Sequence, residues 1–328
     1  MAGFIFRRFF QSIGVMLAVA LIAFAVIRFV GDPLESLTSQ ETRLDERVEL
    51  KARLGLDQPV PIQFLTFLKR GISGDFGTSY KQQEPVTRMI FERLPATLEL
   101  ATASSLIALL FGGLFGVYCA LRPKGVLTHA IMTLSLVGVS LPTFLIGIGL
   151  IAVFSVQLGW LPSFGRGETV KLGWWTTGLL TLSGWRSLIL PAITLSLFQM
   201  TMLMRLIRAE MLEVLRQDYI RFARARGLSR RSIHFGHALK NTLVPVITVA
   251  GLQFGSVIAF AVVTETVFQW PGVGSLFINS VQSVDVPVMA AYLVFISALF
   301  VLINLIVDGL YYAVDPRLRI ARTGTGTE

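Results

Sequence analysis

Cysteine is all but missing from this chain: Cys119 is the only one in 328 residues. That excludes a disulfide within the chain and a zinc site built on several thiolates. Cys119 lies inside an apolar run and reads as a small buried side chain. Histidine is scarce too, with three residues. His234 and His237 have no further ligand types beside them and do not make a metal site. Charge is sparse: 15% of residues are Asp, Glu, Lys or Arg, against about 25% in soluble domains. No G-x4-G-K-[ST] segment occurs, so the chain has no phosphate-cradling loop of its own. H-E-x-x-H and G-x-S-x-G are also missing. The expectation is a chain that is not an enzyme and binds no cofactor or metal itself.

What is present is apolar length. Hydrophobic residues make up 53% of the chain and the mean hydropathy is +0.67. Six apolar runs are long enough to cross a bilayer, at roughly 9–30, 98–121, 130–156, 188–207, 243–264 and 287–314. The first follows Arg7-Arg8 and resembles a signal peptide, but its apolar stretch of about twenty residues exceeds the usual 7–15. It reads as an uncleaved span. The short apolar patch at 176–182, beside tryptophans, is placed at the membrane interface.

Basic residues set the orientation. With the N-terminus inside, the segments 1–8, 122–129, 208–242 and 315–328 carry fifteen lysines and arginines. The outer loops 157–187 and 265–286 carry only Arg166, Lys171 and Arg186. The long segment 31–97 has nine basic and ten acidic residues, and long loops translocate largely regardless of charge. Both termini are therefore expected in the cytoplasm, and the net charge of +9 is a topology signal rather than a nucleic-acid footprint. The domain reading is 1–30 for the N-terminus and first span, 31–97 for an external subdomain, 98–314 for a core of five spans, and 315–328 for a cytoplasmic tail. Within 31–97, "DERVELKARLGL" and "VPIQFLTFLKRGI" have helical spacing, and Gly71, Gly74 and Gly77 interrupt the chain after them. In the spans, Gly112-x3-Gly116 and Gly251-x3-Gly255 suit close helix packing.

The densest charge block is "RFARARGLSRRSIHFGHALKNTLVP" (221–245). Its spacing predicts a helix over 212–226, with Tyr219, Phe222 and Ala223 on one narrow apolar face beside Ala225. Gly227 stands just past the helix end, with Arg224 and Arg226 in its last turn. Ser229 suits the cap of a second helix, 230–240, leading to Pro245. Helix, glycine turn, helix makes a rigid cytoplasmic projection within 208–242, able to pass motion from a soluble partner to the spans. A charge cluster that only fixes orientation, or that binds acidic lipid, accounts for the arginines but not for this order.

The stretch "YIRFARARGLSRRSIHFGHALKNTLVPVIT" (219–248) resembles the EAA-loop signature of permease subunits of binding-protein-dependent ABC importers. More narrowly, the chain resembles the dipeptide/oligopeptide/nickel permease family. "LGLDQPVPIQFLTFLKRGISGDFGTSY" (54–80), "ERLPATLELATAS" (92–104), "ETVFQWPGVGSLFINSV" (265–281) and "NLIVDGLYYAVDPRLR" (304–319) carry the same resemblance. Arg221 or Phe222 stands where the signature's first glutamate would be. The resemblance implies an all-α polytopic membrane protein with six transmembrane helices, of the type I ABC importer kind. It implies half of a heterodimer with a second homologous permease subunit in the bacterial inner membrane. Two cytoplasmic ABC ATPase subunits would bind ATP and Mg, and an extracytoplasmic solute-binding protein would deliver substrate. Tyr219, Phe222, Ala223, Arg224, Ala225 and Gly227 would form the coupling helix. Peptides are the default cargo, with nickel chelates, glutathione, opines and oligosaccharides as alternatives. An ATPase-independent transporter is the contrasting class, and the internal repeat such proteins often show is not seen.

Polar residues in the spans complete the reading. Glu265 and Glu99 stand at outer ends of spans five and two. Glu265 either lines the outer mouth or caps the turn before "WPGVG". Gln199, Gln253 and Asn304 either line the path or join helices. Asp308, in the sixth span, is read as structural, held by a partner such as Arg205 or by a backbone donor.

Overall fold

The computed structural model describes residues 2–29 and 57–314. The "DERVELKARLGL" helix expected at 45–56 and the tail 315–328 lie outside the described residues.

Long helices dominate, as the apolar runs require. They are α1 (Ala2–Phe29), α2 (Val60–Ile72), α3 (Val86–Leu121), α4 (Val126–Ser140), α5 (Thr143–Leu150), α6 (Leu182–Val214), α7 (Asp218–Ala225), α8 (Leu239–Val267), α9 (Val273–Gln282) and α10 (Val286–Val314). A π-helical stretch, Ile151–Gln157, continues α5, and a second, Ser232–Ala238, leads into α8. Among the described residues, five helices are long and apolar enough to cross a membrane by length and composition.

The third expected span, 130–156, is corrected. It is not one straight helix but the pair α4 and α5, bent by 109° at Leu141-Pro142. Leu141 sits at ψ 138°, the extended conformation that a following proline favours. Val126–Ser140 has 15 residues, too short to cross alone when about 20 are needed. The six-span reading therefore counts this bent pair as one. Pro191 and Pro245 lie inside α6 and α8. An unanticipated hairpin, Val170–Leu172 with Trp175–Thr177, turns at Gly173, whose φ is +64°. A leading glycine of positive φ suits a two-residue hairpin turn.

The chain divides into two compact units. The first comprises Met1–Thr97, Lys171–Thr176 and Pro271–Val301. Here α2 covers the range that the periodicity of "VPIQFLTFLKRGI" predicts, and it packs on α1. Phe24 of α1 meets Phe64 edge-on at 5.5 Å and Phe67 at 6.0 Å between ring centroids. Asp285, just before α10, is buried. It accepts from Ser79 Oγ–H, Tyr80 N–H and Lys81 N–H, clasping the loop that follows α2. Phe277 of α9 stacks on Tyr292 of α10 at 4.3 Å. The helix of the second span begins at Val86, before the expected start of that span at 98.

The second unit comprises Leu98–Val170, Thr177–Trp270 and Leu302–Glu328. At α3 and α6 the glycine spacing is used. A Cβ on Gly112 would stand 2.9 Å from Met200 O, and one on Gly116 would stand 2.8 Å from Met204 O. Only glycine allows that approach of backbones. Below it, Ala120 of α3, Leu203, Ile207 and Met211 of α6, Val246 and Ala250 of α8, and Ile220 and Ala223 of α7 share one core.

Candidate functional site

The basic block forms a compact knuckle at one end of the second unit. The helix expected over 212–226 is broken: α6 ends at Val214, Leu215–Gln217 turn, and α7 starts at Asp218. No glycine or proline forces this turn; packing does. Folding α7 back buries Ile220 (0% exposed) and Ala223 (8%) against Met211, Ile233 and Ala238. A straight helix would carry both into water.

Ile220, which sequence periodicity passed over, is therefore the anchor of α7. Ala223 is corrected in the same way. Expected on one face with Tyr219 and Phe222, it packs instead in the chain's own core. The outward surface is Phe222 (64% exposed) and Tyr219 (43%) with Arg224 and Ala225. The Arg226 guanidinium lies 5.7 Å from the Phe222 ring centroid, a spacing at which cation and ring attract. Asn241 Nδ2–H donates to Tyr219 Oη at 2.7 Å, tying α7 to the base of α8.

Gly227 closes the helix as its position predicts. Its φ is +79°, Leu228 N–H donates to Ala223 O at 3.3 Å, and Gly227 N–H donates to Arg224 O at 3.0 Å. This is the paired bonding of a Schellman end, which favours glycine at the left-handed position. Ser229 Oγ then accepts from Ser232 N–H at 3.3 Å. The second helix does not stop at 240. It runs on through the π-helical stretch and α8, Ser232–Val267 forming one span candidate. α7 is thus joined to that span through side-chain packing and one continuous helix.

The opposite end of this unit holds a charged cluster. Arg166 Nη2–H donates to Glu99 Oε2 at 2.6 Å, and both side chains are buried. The Arg166 guanidinium lies 6.0 Å from the Trp270 ring centroid. Glu265 is fully buried, and its backbone oxygen accepts from Trp270 N–H at 2.8 Å. The sequence reading singled out both glutamates but used Arg166 only as a loop charge. Arg166 stands between two glycines in "FGRGE", yet nothing in the sequence ties it to a residue 67 positions away.

The remaining candidates are dispersed. Gln199 is buried in α6 and accepts from Ser105 Oγ–H of α3 at 3.2 Å, so here it joins helices. Gln253 of α8 donates to Met202 Sδ at 3.0 Å. Asn304 and Asp308 are half-buried in α10. Asp308 follows Val307, whose side chain fills the gap over Gly251. Among the described residues, no group of three or more His, Cys, Asp and Glu is placed to hold a metal ion.

Residues 112–320 match the family described as binding-protein-dependent transport system inner membrane component. Residues 1–101 match the N-terminal region of the same kind of membrane component. The chain belongs to this family. It is thus a multi-pass inner-membrane permease of a binding-protein-dependent transport system, not a catalytic subunit. Similar along its length is the di/tripeptide transport system permease DppB of Pseudomonas aeruginosa, 41% identical over 98% of this chain and all of that one. The oligopeptide transport system permease AppB of Bacillus subtilis is 39% identical over 97% of this permease and 99% of its own length. The glutathione transport system permease GsiC of Salmonella choleraesuis is 36% identical over the same shares. Among solved structures, an inward-facing MetNI methionine ABC transporter chain resembles the permease with a TM-score of 0.56. It covers 69% of this chain and 96% of its own, at 18% identity. That likeness supports the all-α permease fold.

Proposed function

We propose that this permease imports di- or oligopeptides as half of an ATP-driven transporter. A second homologous permease subunit completes the path. Two cytoplasmic ATPases bind ATP and Mg, and an extracytoplasmic solute-binding protein delivers the peptide. The cargo reading rests on one observation: relatives matching end to end are named for di/tripeptide, oligopeptide and glutathione transport. All three solutes are short chains of amino-acid units.

The basic residues around the spans support termini on the cytoplasmic side, with the knuckle facing the ATPases. In this reading α7 is the coupling helix. Phe222 and Tyr219 enter an apolar groove of the ATPase, as an amphipathic helix does in its receptor. Arg224 and Arg226 supply charge at the rim, and Gly227 sets the exit angle. Glu265, Gln199, Gln253 and Asn304 belong to the path or its helix contacts, and Asp308 to the structure of α10.

Uptake of radiolabelled dialanine, trialanine and glutathione by cells lacking and regaining this permease tests the cargo. Restored uptake of the alanine peptides is expected. Restored glutathione uptake alone would replace the cargo assignment. Copurification with two ATPases and a second permease tests the assembly, and transport by this chain reconstituted alone would refute it.

A further inference from the structure

The segment bearing Arg166 is a strap across the outer ends of three helices in the second unit. Gly165 N–H donates to Phe268 O, just past α8, at 2.9 Å. Glu168 N–H donates to Ser183 Oγ at 3.1 Å, and Thr181 Oγ1–H donates to Glu168 O at 2.7 Å, both at the start of α6. Gly167, at φ +70°, lies so close to α6 that a Cβ would come within 2.7 Å of the Ser183 carbonyl. The tie to α3 is of another kind. It is the ion pair of Arg166 with Glu99, whose side chains are 6% and 4% exposed.

The three ties differ in how they would part. A buried ion pair recovers hydration on both ions when it separates, so its net cost of opening is small for its apparent strength. Glu99 Oε1 accepts no hydrogen bond among the described residues, and a carboxylate so placed gains most from release into water. On the other side, the Trp270 ring beside Arg166 offers the cation a face to remain on. Trp270 is held to Glu265 at the end of α8 by its own backbone bond. The strap is therefore bound to α6 and α8 by backbone geometry, and to α3 by a separable charge pair.

We infer that the Glu99–Arg166 pair is the latch of an external gate. It parts when the path opens outward, the strap staying with α6 and α8 while α3 moves away. Glu99 and Arg166 are positioning residues of transport, and this rests on the permease reading and orientation proposed above.

The test uses the assembled transporter with Cys119→Ala as background. Glu99→Cys with Arg166→Cys, bridged by a reducible bis-methanethiosulfonate, should lower binding-protein-stimulated ATP hydrolysis by about tenfold. Reductant should restore it. Equal hydrolysis with the bridge intact and reduced would show a fixed brace and overturn the latch. A second arm needs neither solute nor bridge. Thr264, buried one turn before Phe268, is replaced with cysteine, which should become reachable by an impermeant maleimide when α3 moves away from the strap. Adding Glu99→Gln should speed its labelling about tenfold, and Glu99→Arg with Arg166→Glu should return it to the starting rate. Equal rates in all three would overturn the latch. Failure of the unaltered complex to take up dialanine would remove the peptide assignment alone, because hydrolysis and labelling still decide the gate.

Discussion

Replacing Ile220 with alanine is expected to free α7 from the chain that carries it, and replacing Phe222 is not. Ile220 is fully buried among Met211, Ile233 and Ala238. Removing a buried isoleucine down to alanine costs about 2–5 kcal/mol in well-packed sites. The eight residues of α7 have no side-chain N-cap bond, and a helix so short has little stability without packing. Most of that loss therefore falls on α7 locally. At about 3 kcal/mol, the opened population of this segment rises roughly a hundredfold. Hydrogen exchange of the amides at 220–228, in the membrane-embedded complex, reads this directly. Phe222→Ala removes an exposed ring and should leave those amides protected, while still lowering ATP-coupled uptake through loss of the proposed docking contact. Ile220→Ala lowers uptake too, through a loosened helix. Unchanged protection in Ile220→Ala would refute the claim that inward packing holds α7. Loss of protection in Phe222→Ala would show that the inward and outward faces are wrongly assigned.

Gly227→Pro should abolish uptake while the chain remains in the membrane. Proline fixes φ near −65° and removes the N–H that Gly227, at φ +79°, donates to Arg224 O. Normal transport in that variant would sink the coupling-helix assignment. Gly116→Val drives a side chain against Met204 O and Ile207 and should cost about 1–3 kcal/mol, read as a lower unfolding temperature in detergent. An unchanged temperature would show that α3 and α6 part easily. Asp285→Ala strands the donors of Ser79, Tyr80 and Lys81, at about 1–3 kcal/mol for an unsatisfied buried group. Faster limited proteolysis between Gly74 and Pro85 is the expected result, and wild-type cleavage would count against the clasp.

Hydropathy and charge alone determined the broad class. Apolar runs of bilayer length must be helical, because backbone groups in lipid have only one another to bond to. Short-range chemistry was equally legible. The helix Val60–Ile72 follows from its own periodicity, Gly227 from the need for a left-handed residue after α7, and the Gly112/Gly116 approach from spacing.

Tertiary structure decided what depends on distant residues. The turn at Leu215–Gln217 contains no breaker; it exists because Ile220 and Ala223 gain a core by folding back. That gain also turned Ala223 inward and left Phe222 as the exposed ring. The bend at Leu141-Pro142 has a local cause, but its 109° angle is not written in the proline. Arg166 met Glu99 across 67 residues, and Asp285 met Ser79 across 206. One sequence without pairing information says which side chains are costly to bury; only the folded chain says which partner offsets each.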